Sequence, residues 1–279
     1  MSSKDSLSIS TDNSHQLLNL GTIEIDANYV LAGHPNAGSA SNPNPKHERI
    51  DLVLIAVLIE HPKAGLILFE TGCHDDMKEQ WGPMYDVSPR KNYTSHNTLP
   101  EQIAATGHDI KDVTAVLMGH LHADHSGGLM HFIDTDVPIY VHDEELHTAL
   151  WSLFTKADRG PYQASYLTPR LNWQTFDGKV TEIFQGLSLH HCPGHTAGLC
   201  CLQVDLKDAG TFIFTGDQFH VKENYTLRQP QGFLGRDRTT WLQSLTYIER
   251  LERLLDAKIV YGHDSECFYE MKQLPQFYT

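Results

Sequence analysis

Four apolar runs in this chain each stop at a short turn, and each turn carries side chains of the kind that bind metal ions. Val113-Thr114-Ala115-Val116-Leu117-Met118 leads through Gly119 into His120-Leu121-His122-Ala123-Asp124-His125, which sets four such side chains within six residues. The runs over 187–192, 211–216 and 259–262 lead in the same way to His195, Asp217 and His263. Short apolar runs closed by Gly, Pro or Ser read as buried strands. A candidate ligand just past a strand end stands where loops on a rigid sheet converge. The constraint on the fold is therefore severe: four strand ends must meet around one pocket.

Spacing refines this reading. Residues two apart beyond a strand end point to the same side, so His120 and His122 can grip one ion together, while Asp124 and His125, past the turn, face a second position. Gly127 and Gly128 let the chain turn tightly just beyond His125. Histidine is common here, with eighteen copies, and Gly-Asp and Gly-His are ordinary turn pairs, so the shared context carries the argument rather than any one residue. Imidazole and carboxylate together suit zinc, and iron, manganese or cobalt accept the same set.

On these residues the chain resembles a metallo-β-lactamase-fold hydrolase, and within that superfamily the acyl-homoserine-lactone lactonases. The similarity runs from about Leu52 onward and includes Gly65-Leu66-Ile67-Leu68-Phe69-Glu70-Thr71-Gly72, the stretch 119–128, Pro193-Gly194-His195-Thr196-Ala197-Gly198, Gly216-Asp217 and Gly262-His263-Asp264. The resemblance implies an α+β fold, an αββα sandwich of two mixed β-sheets flanked by helices, with two Zn2+ at one edge. It assigns His120, His122 and His195 to a first metal, Asp124, His125 and His263 to a second, and Asp217 to both. It also implies hydrolysis of a small cyclic carbonyl compound by a metal-bridging hydroxide, with Asp124 carrying the proton.

There are two departures from the lactonase pattern. Glu70 stands where Asp usually precedes Thr-Gly, a position that is not a ligand. His220 stands where the lactonases have a tyrosine that polarises the lactone carbonyl. An imidazole also donates a hydrogen bond, with different reach and charge, so His220 reads either as a catalytic donor or as pocket wall. The substrate accordingly stays open between a lactone and a lactam or cyclic carbamate, with isothiocyanate hydrolysis on the same fold as an alternative. A mononuclear-iron persulfide dioxygenase would need fewer ligands than this chain retains. A silent binding module would be expected to lack one.

The formal net charge of -14 argues against a phosphate-backbone partner, which demands a basic face. No polybasic run addresses an anionic membrane, and no segment has the length of a membrane span. The expected partner is a small-molecule substrate, with a homodimer as one option for assembly. Five cysteines, two of them adjacent, do not form a disulfide framework in a chain of 279 residues, so a reducing compartment and cytoplasmic residence are expected. Cys192, close to His195, reads as a partly buried thiol rather than a ligand.

Residues 1–16 read as a flexible tail and 17–279 as a single domain, beginning with a hairpin or strand pair over 17–32. Residues 33–46 read as a polar loop, 50–59 and 65–71 as strands joined by a turn at 61–64, and 81–97 as an aromatic loop near the site. Helices are expected over 99–106 and over 143–156, the second capped by Asp143, and 157–173 reads as a helical or irregular insertion. The clearest helix carries Trp241, Leu242, Leu245, Ile248, Leu251, Leu254 and Leu255 at spacings of three and four, a core-facing stripe. Trp81, Tyr85, Phe219 and Phe233 are candidates for an apolar substrate pocket, or equally for lids or core plugs.

Overall fold

The run 50–59 is apolar at nearly every position because both faces of its strand are covered, the signature of a strand inside a layered fold. Leu52, Leu54, Ala56 and Leu58 join one core cluster, while Val53, Val57 and Ile59 join another, so strand alternation divides them between the two faces of one sheet. The structure is a computed structural model and describes residues 12–33, 38–158 and 161–279. Its first sheet contains β1 (Ser14–Asp26), β2 (Arg49–His61), β3 (Gly65–Phe69), β4 (Arg90–Lys91), β5 (Val113–Leu117), β6 (Pro138–His142) and β7 (Asn172–Phe176), in the order β4-β1-β2-β3-β5-β6-β7. The second contains β8 (Val180–Phe184), β9 (Leu187–His191), β10 (Cys200–Leu206), β11 (Gly210–Phe214) and β12 (Lys258–Val260), in the order β12-β11-β10-β9-β8. Both sheets are mixed: β3, β5, β6 and β7 run parallel after an antiparallel start, and β12 lies parallel to β11 at the edge of an otherwise antiparallel sheet.

Between the sheets pack Val57, Phe69, Leu117, Leu189, Leu202 and Phe214. Outside the first sheet lie the helices Met77–Trp81, Leu99–Ala104 and Asp143–Thr155, whose Met77, Trp81, Ile103 and Ala149 close that face. Outside the second lies Arg238–Leu255, which buries Trp241, Leu245 and Ile248 against Cys201 and Ile213. These layers make the αββα sandwich expected from the sequence. Among the described residues no helix is long and apolar enough to cross a membrane.

Several local expectations need correction. Ser14, His15 and Gln16 are not tail but the start of β1, held by antiparallel pairing with Glu60, Ile59 and Leu58; residues 1–11 lie outside the described residues. Residues 17–32 are not a hairpin, because β1 finds its partner in β2, across the loop that includes residues 38–46. Within 81–97 the chain forms a helical turn, Met84–Val87, and the short edge strand β4. The helix Asp143–Thr155 is capped by His142, whose Nδ1 accepts from Glu144 N at 3.3 Å, rather than by Asp143. On Arg238–Leu255, Leu254 turns outward and is 69% exposed, since a stripe running from Trp241 to Leu255 drifts off the buried face near the helix end. The described part of 157–173 is irregular up to β7.

Candidate metal centre

The C-terminal ends of β5, β9, β11 and β12 open on one edge of the sandwich, and the loops beyond them bring the seven candidate ligands together. Parallel pairing of β11 with β12 aligns the Asp217 and His263 loops side by side. A Cβ on Gly262 would come within 2.5 Å of Gly216 O, so the close approach of these two loops requires glycine. Gly194 adopts φ 141, outside ordinary L-residue space, and turns the chain so that His195 points inward.

Two clusters result, one of His120, His122, His195 and Asp217, the other of Asp124, His125, His263 and Asp217. The Asp217 carboxylate divides between them. Its Oδ2 lies 3.2 Å from His195 Nε2 and 3.7 Å from His120 Nε2, while its Oδ1 lies 2.8 Å from His263 Nε2 and 2.9 Å from His125 Nε2. Within the clusters, His122 Nδ1 stands 2.9 Å from His195 Nε2, and His125 Nε2 stands 3.1 Å from His263 Nε2. Asp124 Oδ2 sits 3.7 and 3.8 Å from His263 Nε2 and His125 Nε2. Ligands about 2.0–2.2 Å from a tetrahedral zinc ion stand roughly 3.3–3.6 Å apart, close to these separations. His120 Nε2, which faces the Asp217 carboxylate, also lacks a hydrogen-bond partner among the described residues, and such a buried polar atom needs a ligand of some kind. The donor set therefore fits a pair of divalent ions.

Electrostatics distinguishes the two clusters. Burial drives the His120 and His122 imidazoles well below their ordinary pKa, so both are neutral and ready to donate a lone pair. Burial pulls on His125 and His263 as well, but the Asp217 charge outweighs it and both are raised, His125 well above the ordinary value with help from Asp124 and Glu70. Asp217 is itself held well below the carboxylate range: burial pushes it up, and the surrounding His220, His125, His263 and His195 overcome that push.

Outer partners set the ligand orientations. His263 Nδ1 donates to Val53 O at 2.8 Å, leaving Nε2 for the cluster. Glu70 accepts from Gly119 N at 2.8 Å, and its Oε2 lies 3.4 Å from His125 Nδ1, so the longer acid still braces this ring. Glu145 escapes sequence reasoning, since an acid in the first turn of a helix ordinarily reads as a surface residue. It is fully buried, accepting from Leu121 N at 2.9 Å with one oxygen and from Thr196 Oγ1 at 2.6 Å and Gly198 N at 3.2 Å with the other. It thereby ties the His120–His122 turn to the His195 turn.

A cavity of about 100 Å3 opens beside the clusters, lined by Ile23, Ile25, Leu52, Trp81, Met84 and Leu234 together with Asp124, Asp217, His122 and His220. Asp124 is the ligand candidate most open to it, with 18% side-chain exposure. His220 belongs to the floor of the site: it is buried, its Nε2 lies 3.0 Å from Asp217 Oδ2, and burial lowers its pKa to about 4 despite the Asp217 charge. Of the four aromatic candidates, Trp81 lines the cavity. Phe219 does not; it is packed into the core against Tyr225 and Trp241, because the turn after Asp217 sends it away from the site. Phe233 is 73% exposed with its ring edge against Tyr29, and Tyr85 packs on the first core cluster outside the cavity lining. Cys192 is wholly buried among apolar neighbours rather than partly exposed.

A two-sheet sandwich with seven His and Asp side chains gathered at one edge defines a metallohydrolase-type architecture. Residues 56–263 match the Metallo-beta-lactamase superfamily model, and the chain belongs to that superfamily. The N-acyl homoserine lactonase AiiB of Agrobacterium fabrum is 26% identical over 274 residues, covering 94% of this chain and 98% of the relative. The N-acyl homoserine lactonase of Bacillus thuringiensis is 25% identical over 257 residues, covering 91% and 96%. Among solved structures, an N-acyl homoserine lactone hydrolase with the product N-hexanoyl-L-homoserine at its catalytic metal center superposes with a TM-score of 0.81 at 23% identity, covering 97% of this chain and all (100%) of the other. AidC, a dizinc quorum-quenching lactonase, superposes with a TM-score of 0.66 at 16% identity, covering 96% and 94%.

Proposed function

We propose that this protein is a dinuclear zinc hydrolase that opens a small cyclic carbonyl compound, a lactone first and a lactam or cyclic carbamate as the wider range, from a single catalytic domain. The observation that carries the reading is the division of the Asp217 carboxylate between two histidine clusters on the floor of an apolar cavity. The lactonase relatives and their product-bound structures support the choice of a lactone. His120, His122, His195 and Asp217 would hold one ion, and Asp124, His125, His263 and Asp217 the other. Two ions so held supply an activated water near neutral pH and polarise a carbonyl oxygen. The chain does the rest. Ile23, Ile25, Trp81 and Leu234 exclude water and receive the apolar body of a neutral substrate, since among the described residues no Lys or Arg lines the cavity. Asp124, open to the cavity, takes the proton of the attacking water at its carboxylate and returns it to the departing ring atom. His220, neutral at pH 7, has one N–H, which metal binding by Asp217 would free for the developing oxyanion, and its Nδ1 has no hydrogen-bond partner among the described residues.

The direct test is a hydrolysis panel of lactones, lactams, cyclic carbamates and isothiocyanates on zinc-loaded protein. Turnover of none of these rings would reject the proposal, and turnover of isothiocyanates alone would favour the alternative chemistry. His220→Ala is expected to lower kcat on the order of a hundredfold with metal content retained, the scale of one lost oxyanion donor. His220→Tyr should raise the ratio of kcat/KM for a lactone over its matched lactam. If that ratio stays fixed and the alanine variant keeps its kcat, His220 is pocket wall.

Metal loading should also depend on pH in a defined sense. Asp217 raises His125 and His263, so these rings hold a proton to higher pH than His120 and His122, which burial lowers, and a proton held there must be released to bind an ion. Zinc titrations at pH 6, 7 and 8 should therefore show one equivalent whose affinity climbs more steeply with pH than the other. Equal pH slopes for the two equivalents would contradict this assignment.

A further inference from the structure

Gln231 lies in a stretch with no ligand motif and no apolar run, yet its side chain reaches the metal centre. It is buried, with Oε1 2.9 Å from His195 Nδ1, and its Nε2 donates to Asp217 O and, at 3.2 Å, to Gln218 O. A primary amide has one acceptor oxygen and two N–H groups, and backbone carbonyls only accept. Reversing the amide would set its oxygen against two carbonyl oxygens, so the orientation is determined by chemistry. Oε1 must face His195, and His195 Nδ1 must then carry the proton. The lone pair is left on Nε2, which points at His122 Nδ1 and Asp217 Oδ2.

We propose that Gln231 is a positioning residue that holds His195 in the Nδ1–H tautomer and, through the carbonyl of Asp217, ties that ring to the shared carboxylate residue. The assignment rests on the metal-centre reading above. It also joins the metal centre to the substrate cavity. From Gln231 the chain continues along the cavity wall, where Phe233 N and Leu234 N donate to Asn28 O and Tyr29 O at 3.1 Å each, and Leu234 lines the cavity. A Cβ on Gly232 would collide with Asn28 O, so the loop can lie this close only with glycine there. The loop then returns to the metal centre, where Arg236 N and Asp237 N donate to Gly194 O at 3.0 and 2.9 Å, directly before His195. One loop therefore grips His195 by its ring and by its neighbouring backbone while shaping the wall that receives substrate.

Gln231→Met keeps length and bulk and removes both hydrogen-bonding functions. Chelator-competition titration with zinc is expected to show one of the two equivalents weakened roughly 10–100-fold, the range for loss of an outer partner to a histidine ligand, with the Co2+ absorption of the same equivalent shifted. A side chain that merely fills space would leave affinity and spectrum unchanged. Zinc failing to bind the unaltered protein would overturn the metal-centre reading. Equal zinc affinity in the unaltered protein and the variant would overturn the Gln231 assignment alone. Should the variant not fold, imidazole 15N NMR of the unaltered metal-free protein, with His195 assigned by its absence in His195→Gln, decides the point. The Nδ1–H tautomer is expected, and an Nε2–H tautomer would overturn the proposal.

Discussion

Asp217→Ala is expected to bind neither metal ion with useful affinity, a fall of more than roughly a hundredfold at both positions, beyond the 10–100-fold carried by outer partners alone. The reason is geometric. Oδ2 faces the His195 and His120 nitrogens and Oδ1 faces those of His263 and His125, so one truncation strips a ligand from each cluster. It also removes the buried carboxylate that raises His125 and His263 toward the protonated form. Lower stability of the metal-free variant should accompany the loss of metal. Elemental analysis after dialysis reads the outcome as equivalents per chain, with two for the unaltered protein. A variant that sheds one ion and keeps the other would contradict the bridging role.

Asp124→Asn is expected to stop turnover while leaving the fold nearly untouched. General acid–base catalysis contributes about 10^2–10^4-fold, and the same substitution weakens a ligand, so kcat should drop by at least roughly a thousandfold. Little stability is at stake. The side chain is the most exposed of the seven, faces the cavity and approaches His263 and His125 only at 3.7 and 3.8 Å. Kinetics, thermal melting and metal content measured on one preparation separate the effects. A variant with full metal content and most of its kcat would remove Asp124 from the reaction.

The features legible in the sequence are those that are local or repeat at short range. His120, His122, Asp124 and His125 fall within one turn, and His195, Asp217 and His263 each come just after an apolar run, so spacing and strand ends single out all seven. The strand 65–69 and the helix Arg238–Leu255 are legible for the same reason, because a continuous apolar run closed by a turn, or an apolar stripe at spacings of three and four, is written in neighbouring residues. The departure at His220 is equally visible, although its place on the floor of the site is not.

The tertiary structure decided whatever depends on a partner distant in the chain. β1 begins at Ser14 because β2 pairs with it, and nothing within the polar stretch before Leu17 announces that partner. Phe219 and Trp81 are both large aromatics in segments of little pattern, yet one is core and the other cavity wall, since the direction of a turn and the packing of neighbours determine the difference. Glu145 and Gln231 are ordinary polar residues in sequence, and they come to flank the candidate metal centre only because burial leaves their hydrogen bonds to groups 17 to 53 and 13 to 36 residues away. The choice of candidate ligands was thus a property of short-range spacing in the chain, whereas their orientation is a property of long-range contacts, which the folded backbone alone brings within hydrogen-bonding distance.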